Sequence, residues 1–264
     1  MKTIGIIGGG NMGAAILRRL KGKYKIAVSE KDPQRAKELA KKYRVKNCDL
    51  TSLVKNFQIL ILAIKPQDFK MVLEEMAPHL TPKQLVISIA AGIPTSFIEK
   101  ALKGQVRVIR TMPNMPAQIG QGITAISRGR YATVKDLSVA RKIFDCVGAT
   151  VVVEESQLNA VTAVSGSGPA YLFLFAEHLI STARKLGLSE EHSRKLVEKT
   201  LQGSIELLLQ SKEDAASLRA KVTSKGGTTQ AALETFEKNH LGDIYQQGLE
   251  AAKKRAEELA QTWQ

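Results

Sequence analysis

Short apolar runs alternate with amphipathic segments through residues 1–160. Apolar residues that recur three or four positions apart predict helices, and the short continuous runs predict strands. Asp32 followed by Pro33 is a typical helix start, because aspartate caps a first turn and proline fits its first position. Nearly continuous apolar strands that alternate with helices indicate a parallel sheet covered on both faces. The predicted strands are 4–7, 25–29, 59–64, 85–89 and 106–110, with 122–127 and 149–153 as further candidates, and the predicted helices are 11–20, 33–42, 66–76, 94–102 and 135–146.

Beyond residue 160 the pattern is helical, without a strand signal. The segment 171–186 starts with a run of apolar residues and is apolar around its circumference, which is typical of a helix buried between helices or between subunits. The pattern predicts an α/β fold class, with a doubly wound sheet domain at residues 1–160 and an all-helical domain at residues 161–264. Because the helical part is short and apolar, we expect a homodimer to complete its core.

The chain is strongly basic, with 39 Lys and Arg against 25 Asp and Glu among 264 residues and a formal net charge of +14. Such a charge fits nucleic acid, an anionic membrane or an anionic small molecule as partner. The basic residues are scattered, only 5% of the residues are aromatic, and no zinc-finger or RNA-binding motif accompanies them. We therefore interpret the charge as a solvated lysine surface and predict no nucleic-acid partner.

The cysteines, the histidines and the hydropathy of the chain indicate where the protein is located and whether it binds a metal or a membrane. Cys48 and Cys146 form no disulfide framework, and the four histidines do not cluster into a zinc pattern. No apolar run reaches the roughly 18 residues that a membrane-spanning helix needs. The N-terminus runs into glycines without the cleavage site of a signal peptide. We expect a cytoplasmic protein with reduced thiols, no metal site and no membrane partner.

A glycine-rich loop, G-G-G-N-M-G at residues 8–13, connects the first predicted strand to the first predicted helix. In that context G-x-G-x-x-G is a dinucleotide-binding fingerprint and predicts a Rossmann-type domain. The first glycine allows the tight turn, the second a close approach of the pyrophosphate, and the third close packing of helix on strand. The start of the helix faces the anion. The predicted NAD- or NADP-binding residues of this loop are Gly8, Gly10, Asn11, Met12 and Gly13.

The end of the second strand bears on the choice of cofactor. Glu30 lies close to where an acid binds the ribose 2′-hydroxyl, which favours NADH. Ser29 and Lys31 are instead suited to the extra phosphate of NADPH. Asp32 is not assigned to the ribose because it caps a helix. We predict Ser29 and Glu30 as cofactor-binding residues and leave the preference between NADPH and NADH open.

Three further loops, at residues 63–66, 88–92 and 110–116, follow predicted strands. They lie at the carboxyl edge of the sheet, where doubly wound folds bind ligands. The alternative is that each loop is shaped for packing only, but three such loops on one edge favour a role beside the nicotinamide. The predicted cofactor-binding residues are Ala63, Ile64, Lys65, Pro66, Ala90 and Asn114.

The helical half contains two glycine-rich segments, at residues 165–171 and 222–230, that each run into a helix. Free amide donors at a helix start suit a carboxylate, and serine and threonine hydroxyls add polar contacts. The alternative is ordinary capping of the helices by Ser167 and Thr228. Capping and ligand binding are compatible with each other.

Together these motifs make the whole chain resemble the pyrroline-5-carboxylate reductases. The glycine loop is shared with many dehydrogenases, whereas the motifs of the helical half are far more specific. The resemblance rests on residues 8–13, A-I-K-P at 63–66, M-P-N at 112–114, A-V-S-G-S-G-P-A-Y at 163–171 and S-K-G-G-T-T at 224–229. It implies an N-terminal Rossmann domain and a C-terminal helical domain that dimerises by interleaving helices, in dimers that often assemble further into decamers.

The implied reaction reduces the cyclic imine of 1-pyrroline-5-carboxylate to L-proline with NADPH or NADH, the last step of proline biosynthesis. The segment 224–229 matches the family loop that holds the substrate carboxylate and ring nitrogen. Thr229 matches the threonine that hydrogen-bonds this nitrogen, and we expect it to position the imine more than to supply a proton. Asn114 and Lys65-Pro66 match cofactor-side loops. The implied substrate-binding residues are Val164, Ser165, Gly166, Ser167, Ser224, Gly226, Gly227, Thr228 and Thr229.

Two residues depart from the family pattern. Met115 stands where the family usually has threonine, which removes a polar contact near the cofactor. Lys225 stands where proline is frequent, and it loosens the loop or adds a positive charge near a carboxylate. Neither change removes a group that the chemistry needs.

Three other functions fit parts of the sequence. A 3-hydroxyacid dehydrogenase shares the domain plan, but none of Lys65, Lys221 and Lys225 stands where we can assign a general acid or base. A regulatory protein that senses the cofactor fits the fold, although the intact loop at 226–229 argues against lost catalysis. A nucleic-acid-binding protein rests on net charge alone.

Overall fold

A computed structural model of the protein describes residues 2–263. The chain divides into two compact units, one with the residues up to Ser167 and those from Ala251 onward, the other with Gly168–Glu250. The sequence assigned everything after residue 160 to the helical domain, whereas the residues from Ala251 onward pack in the first unit. The rings of Phe97 and Trp263 meet there edge to face, with centroids 4.9 Å apart. This C-terminal stretch therefore covers an apolar surface of the sheet domain.

One eight-stranded sheet forms the first unit, in the spatial order β3-β2-β1-β4-β5-β6-β7-β8. Neighbouring strands are parallel except for the antiparallel pair β6 and β7. From β1 the chain builds outward to β3 and then returns to place β4 on the other side of β1, which creates a topological switch point. The strands are β1 Thr3–Ile7, β2 Lys25–Ser29, β3 Lys46–Asn47, β4 Ile59–Leu62, β5 Leu85–Ser88, β6 Arg107–Pro113, β7 Gly122–Arg128 and β8 Gly148–Val152.

Helices cover both faces of this sheet, and several begin at side chains that cap them. The carboxylate of Asp32 accepts from the backbone N–H groups of Gln34 and Arg35, as the sequence predicted. The first-unit helices are α1 Asn11–Leu20, α2 Pro33–Tyr43, α3 Leu50–Asn56, α4 Phe69–Met76, α5 Thr95–Ala101, α6 Val134–Phe144 and the short α7 Leu158–Val161.

Successive residues of each central strand pack into different cores. In β4, Ile59 and Ile61 join the core on one face of the sheet, while Leu60 and Leu62 join the core on the other. All four side chains are buried. Because both faces are covered, every position of the strand is apolar, and this is the pattern from which the parallel sheet was predicted.

The described residues of the second unit form helices joined by loops, without a strand. Its helices are α8 Gly168–Lys185, α9 Glu190–Gln210, α10 Ala215–Lys221, α11 Thr228–Lys238 and α12 Leu241–Gln261, of which α12 continues past residue 250 into the first unit. The predicted α/β class is therefore confirmed.

The apolar face of α8 is not buried within this chain, which contradicts burial between helices of one subunit. Leu172 is 57% exposed and Phe173 is 60% exposed. Leu174 and Phe175 are exposed as well. Of the two alternatives that the sequence left open, burial between subunits remains.

Candidate active site

A cleft of about 710 Å³ opens at the carboxyl ends of β2, β1 and β4, at the switch point of the sheet. It is formed by the loops that follow these strands, by the first residue of α3 and by residues of α4. Of the predicted cofactor-binding residues, those that line it are Gly8, Gly10, Ser29, Glu30, Ala63, Ile64 and Lys65.

The glycine loop is held in place from both sides. The N–H of Gly8 donates to the carbonyl of Ser29 at 2.8 Å, and the N–H of Ala63 donates to the carbonyl of Ile7 at 2.8 Å. Gly8 adopts a φ of +96°, and a Cβ there would clash with the carbonyl of Ala63. A Cβ on Gly13 would clash with the carbonyl of Gly8. These two glycines are required by the protein's own packing.

Gly10 is different, because a Cβ on it would meet no protein atom within 4 Å. It occupies the N-cap of α1 with no side-chain hydrogen bond to the first turn. The amides at this helix start are therefore directed at open space beside a glycine that the protein does not itself require. The arrangement fits the pyrophosphate of a dinucleotide approaching at Gly10, so the loop passes a geometric test for an NAD or NADP site.

Glu30 closes the loop from the end of β2. Its Oε2 accepts from the N–H of Gly9 at 2.7 Å, and its Oε1 accepts from the N–H of Asp32 at 3.0 Å. The backbone N–H of Glu30 donates to Oδ1 of Asn47 at 3.1 Å. Nε of Arg35 donates to the carbonyl of Gly9 at 3.0 Å. The Gly9 peptide is thus held by a carboxylate on one side and by a guanidinium on the other.

The cleft is lined by more carboxylates than the sequence motifs predicted. Asp49, Asp68 and Glu75 line it besides Glu30. Oδ1 of Asp68 lies 3.0 Å from Nζ of Lys31. Hydrogen bonds from Ser52 at the start of α3 lower the pKa of Asp49. Sequence reasoning missed Asn47, Asp49, Asp68 and Glu75 because they belong to no motif.

The structure does not place six of the predicted cofactor residues among those that line the cleft. Ala90 is buried, and Oδ1 of the buried Asn114 accepts from the N–H of Ile123 at 3.0 Å, which braces the loop. Met115, the first departure from the family pattern, is half exposed. The six residues are Asn11, Met12, Gly13, Pro66, Ala90 and Asn114.

A buried ion pair supports the loop at residues 110–116. Arg110 lies almost fully buried in β6, and one of its terminal nitrogens lies 3.2 Å from Oε1 of Glu155. Burial lowers the pKa of Arg110, and the neighbouring Glu155 carboxylate opposes this. The same carboxylate accepts from the N–H of Thr95 at 2.8 Å and from its hydroxyl at 2.6 Å. The contact ties β6, the start of α5 and the turn at 155–157 together.

The predicted substrate residues fall into two groups, one in each unit. Val164–Ser167 lie in the first unit at a π-helical turn that precedes α8. Val164 is exposed, and the hydroxyl of Ser165 donates to the carbonyl of Val161 at 3.1 Å. A Cβ on Gly166 would clash with the side chain of Met112. The second group, 224–229, lies in the other unit.

In that second group, the loop before α11 leaves amides at the helix start without a side-chain cap. Gly227 is the N-cap residue, and Thr228 is already in the helix, so capping by Thr228 is wrong. Gly226 turns the chain with a φ of +70°, and its N–H donates to Oε1 of Gln230 at 2.6 Å. The N–H of Gly227 donates to the carbonyl of Ser224 at 3.0 Å. No side chain caps the amides at this helix start, where Thr228 and Thr229 lie.

Other classes of site lack support in the described part of the chain. Among residues 2–263, no group of three or more His, Cys, Asp and Glu side chains converges as a metal site requires. No helix within the same range is long and apolar enough to cross a membrane.

The sheet order, the glycine loop and the cleft together define an oxidoreductase of the dinucleotide-binding class. Residues 155–259 match the family model for pyrroline-5-carboxylate reductase dimerisation. Residues 3–92 match the model described as NADP oxidoreductase, coenzyme F420-dependent. The pyrroline-5-carboxylate reductase of Pseudomonas aeruginosa is 38% identical, over 98% of this chain and 97% of that protein. That of Mycobacterium leprae is 35% identical over the same shares.

Solved structures agree with these relatives. A pyrroline-5-carboxylate reductase from Coxiella burnetii superposes with a TM-score of 0.90 at 35% identity, over 97% of this chain and 98% of that one. A pyrroline carboxylate reductase from Plasmodium falciparum, solved with NADP bound, superposes with a TM-score of 0.89 at 27% identity, over 98% of both chains.

The chain belongs to the pyrroline-5-carboxylate reductase family. It is an oxidoreductase that reduces 1-pyrroline-5-carboxylate to L-proline with a reduced nicotinamide cofactor. The family, fold class and reaction expected from the sequence are therefore confirmed.

Proposed function

We propose that two features of this chain divide the work of the reduction: the cleft at the glycine loop binds the cofactor, and the start of α11 binds the substrate carboxylate. When bound, the cofactor supplies the hydride. The observation that supports the first assignment most directly is Gly10, the N-cap of α1, beside which the protein leaves open space where a pyrophosphate can approach the backbone. Gly8, Gly10, Ser29, Glu30, Ala63, Ile64 and Lys65 are the proposed contacts, with Asn11, Met12 and Gly13 presenting the helix start.

On the substrate side, we propose that the N–H groups of Thr228 and Thr229 receive the carboxylate. The positive end of α11 adds a favourable interaction with a negative group. Ser224 supports this geometry, because a Cβ on Gly227 would clash with the Ser224 hydroxyl oxygen. Gly227 therefore permits the close approach of that hydroxyl to the helix start.

We propose that the Thr229 hydroxyl holds the imine nitrogen, because Thr229 matches the threonine of the family that hydrogen-bonds this nitrogen. An imine accepts hydride best when its nitrogen is protonated, and the proton is available from water. A neutral hydroxyl is too weak an acid to supply it, so Thr229 acts by orientation. Val164–Ser167 are proposed to line the substrate pocket, with Pro66, Ala90 and Asn114 shaping the loops at the cofactor side.

We further propose that the enzyme works as a homodimer built through the dimerisation region at 155–259, and the unburied apolar face of α8 supports this proposal. Assembly of dimers into a decamer follows the family resemblance. A cytoplasmic location suits the two free cysteines, Cys48 and Cys146, because that compartment keeps thiols reduced. Nucleic acid is not a proposed partner.

Replacing Thr229 tests the substrate-side assignment. Thr229→Ala removes the hydroxyl, and we expect turnover to fall by roughly tenfold to a hundredfold, the range for one positioning hydrogen bond. Thr229→Ser retains the hydroxyl and should restore most of the rate. The readout is cofactor oxidation with 1-pyrroline-5-carboxylate, together with the affinity for NADH by fluorescence.

Affinity for NADH should not change in either variant. Turnover of Thr229→Ala equal to that of the unmodified enzyme would remove Thr229 from the mechanism.

A further inference from the structure

The cofactor cleft has the opposite charge to the protein that contains it. The whole chain has a formal net charge of +14. The charged residues that line the cleft are four carboxylates and two lysines: Glu30, Asp49, Asp68, Glu75, Lys31 and Lys65. The lining is therefore net acidic, and a ligand there meets a local potential that the overall charge does not predict.

At the adenosine side of the cleft, the acidic character is concentrated in Glu30. Both oxygens of its carboxylate accept backbone hydrogen bonds, from Gly9 at 2.7 Å and from Asp32 at 3.0 Å. These bonds fix the carboxylate at the end of β2, where a dinucleotide ribose binds in this fold. Each oxygen still has a lone pair for a ribose hydroxyl.

The first two cations that follow Glu30 in the sequence, Lys31 and Arg35, are already paired. Nζ of Lys31 lies 3.0 Å from Oδ1 of Asp68. Arg35 donates to the carbonyl of Gly9 at 3.0 Å and lies 3.2 Å from a carboxylate oxygen of Glu38. Lys65 follows β4, which β1 separates from β2 in the sheet. A phosphate on the ribose 2′-oxygen would therefore meet the Glu30 carboxylate beside two cations that already have partners.

We propose that Glu30 makes this enzyme select NADH over NADPH. The proposal rests on the proposed cofactor cleft and identifies which of the two cofactors this cleft takes. Glu30 accepts a hydrogen bond from the ribose 2′-hydroxyl of NADH. The 2′-phosphate of NADPH brings between one and two negative charges to the same place, against a carboxylate that cannot turn away. A relative with 27% identity was solved with NADP bound, so this selection distinguishes the chain within its family.

Equilibrium binding of two cofactor fragments tests the proposal without turnover. Isothermal titration would compare ADP-ribose with 2′-phospho-ADP-ribose on the full-length enzyme. We expect ADP-ribose to bind at least about tenfold more tightly, because the 2′-phosphate adds an unfavourable contact between like charges. NADH and NADPH should show the same order.

Two variants assign the effect to Glu30. Glu30→Gln keeps an oxygen that can accept from Gly9 and removes the charge, so the difference between the fragments should shrink severalfold. Glu74→Gln is the matched control, because Glu74 is an exposed acid of α4 that does not line the cleft. It should leave the difference unchanged.

Each result has a definite reading. If 2′-phospho-ADP-ribose binds as tightly as ADP-ribose or more tightly to the unmodified enzyme, the selection by Glu30 is wrong while the cofactor cleft stands. If neither fragment binds, the cleft itself is wrong and the selection fails with it. An unchanged ratio in Glu30→Gln would also overturn the proposal, and the comparison in the unmodified enzyme does not depend on how that variant folds.

Discussion

Gly8, Gly10 and Gly13 are the three glycines of the G-x-G-x-x-G motif, but the structure gives a different reason for a glycine at Gly10 than at the other two positions. Gly8 and Gly13 lie against backbone carbonyls, so any larger residue would displace the strand or the helix. Gly10 has open space where a side chain would stand. Conformation and packing explain the first two, whereas the third fits the proposed approach of a pyrophosphate to the backbone. The motif alone cannot make that distinction.

Substitution at Gly10 should separate binding from folding. In Gly10→Ala the new methyl group meets no protein atom, and the φ of −61° suits alanine. We expect the free energy of unfolding to change by less than about 1 kcal/mol, the scale of an N-cap exchange. Affinity for NADH should fall by at least roughly tenfold, because the methyl group occupies the pyrophosphate position.

Gly13→Ala is the control, because its methyl group would clash with the Gly8 carbonyl and lower stability as well as binding. Urea unfolding and fluorescence titration measure the two effects. Unchanged NADH affinity in a folded Gly10→Ala protein would remove the pyrophosphate from this loop.

At the scale of elements, the strands and helices that could be predicted from the sequence are those with a clear pattern of apolar residues. The four residues of β4 are all apolar and buried, and their continuous apolar run predicted this strand. The two-residue strand β3 is polar and exposed and has no period to detect. β6 continues to Pro113 through Arg110 and Thr111, which are buried polar residues that a hydropathy pattern assigns to a loop. Their partners lie far away in the sequence.

The candidate site shows the same limit. Its glycine loop and Glu30 could be predicted, because a fixed spacing relates them to one strand and one helix. Asp68 and Asn47 reach the cleft only because α4 and β3 are placed beside it. Likewise, the cap of α11 belongs to Gly227 and not to Thr228, a difference of one residue that no pattern resolves.

The ion pair between Arg110 and Glu155 is the element-scale contact most open to measurement. Arg110→Met leaves the Glu155 carboxylate in a half-buried place with only Thr95 as partner. We expect a loss of about 2–3 kcal/mol in the free energy of unfolding, since an unpaired charge is costly where water is limited. The double variant Arg110→Met/Glu155→Gln removes that charge and should recover part of the loss.

Urea unfolding at one protein concentration measures these differences, because association also affects apparent stability. A double variant no more stable than Arg110→Met would contradict the pairing. Equal stability of all forms would show that the contact contributes nothing.

At the scale of the whole molecule, two surface features could each indicate a partner: the basic residues and the unburied apolar face of α8. The basic residues are spread over both units and form no continuous block in the sequence. The apolar residues of α8 are consecutive and unburied, in a region that matches a dimerisation model. The apolar face, not the charge, is therefore the feature that predicts a partner, and the partner is a second copy of the chain.

A charge placed on α8 should weaken the dimer. Phe173→Glu puts a carboxylate on a face that is proposed to be buried in the dimer. We expect the dissociation constant of the dimer to rise by at least roughly a hundredfold. Val134→Glu is the control, because Val134 is 68% exposed on α6 in the first unit. Sedimentation over a range of concentrations measures both, and a Phe173→Glu protein that associates like the unmodified chain would contradict a dimer through α8.

The most direct test of the account follows the hydrogen itself. The purified enzyme is incubated with 1-pyrroline-5-carboxylate and NADH that is deuterated at the transferable C4 position, and the proline formed is analysed by mass spectrometry. The account predicts L-proline that contains one deuterium on the ring carbon that was the imine carbon, in an amount equal to the cofactor oxidised. Cofactor that stays reduced, or proline without the label, would contradict it.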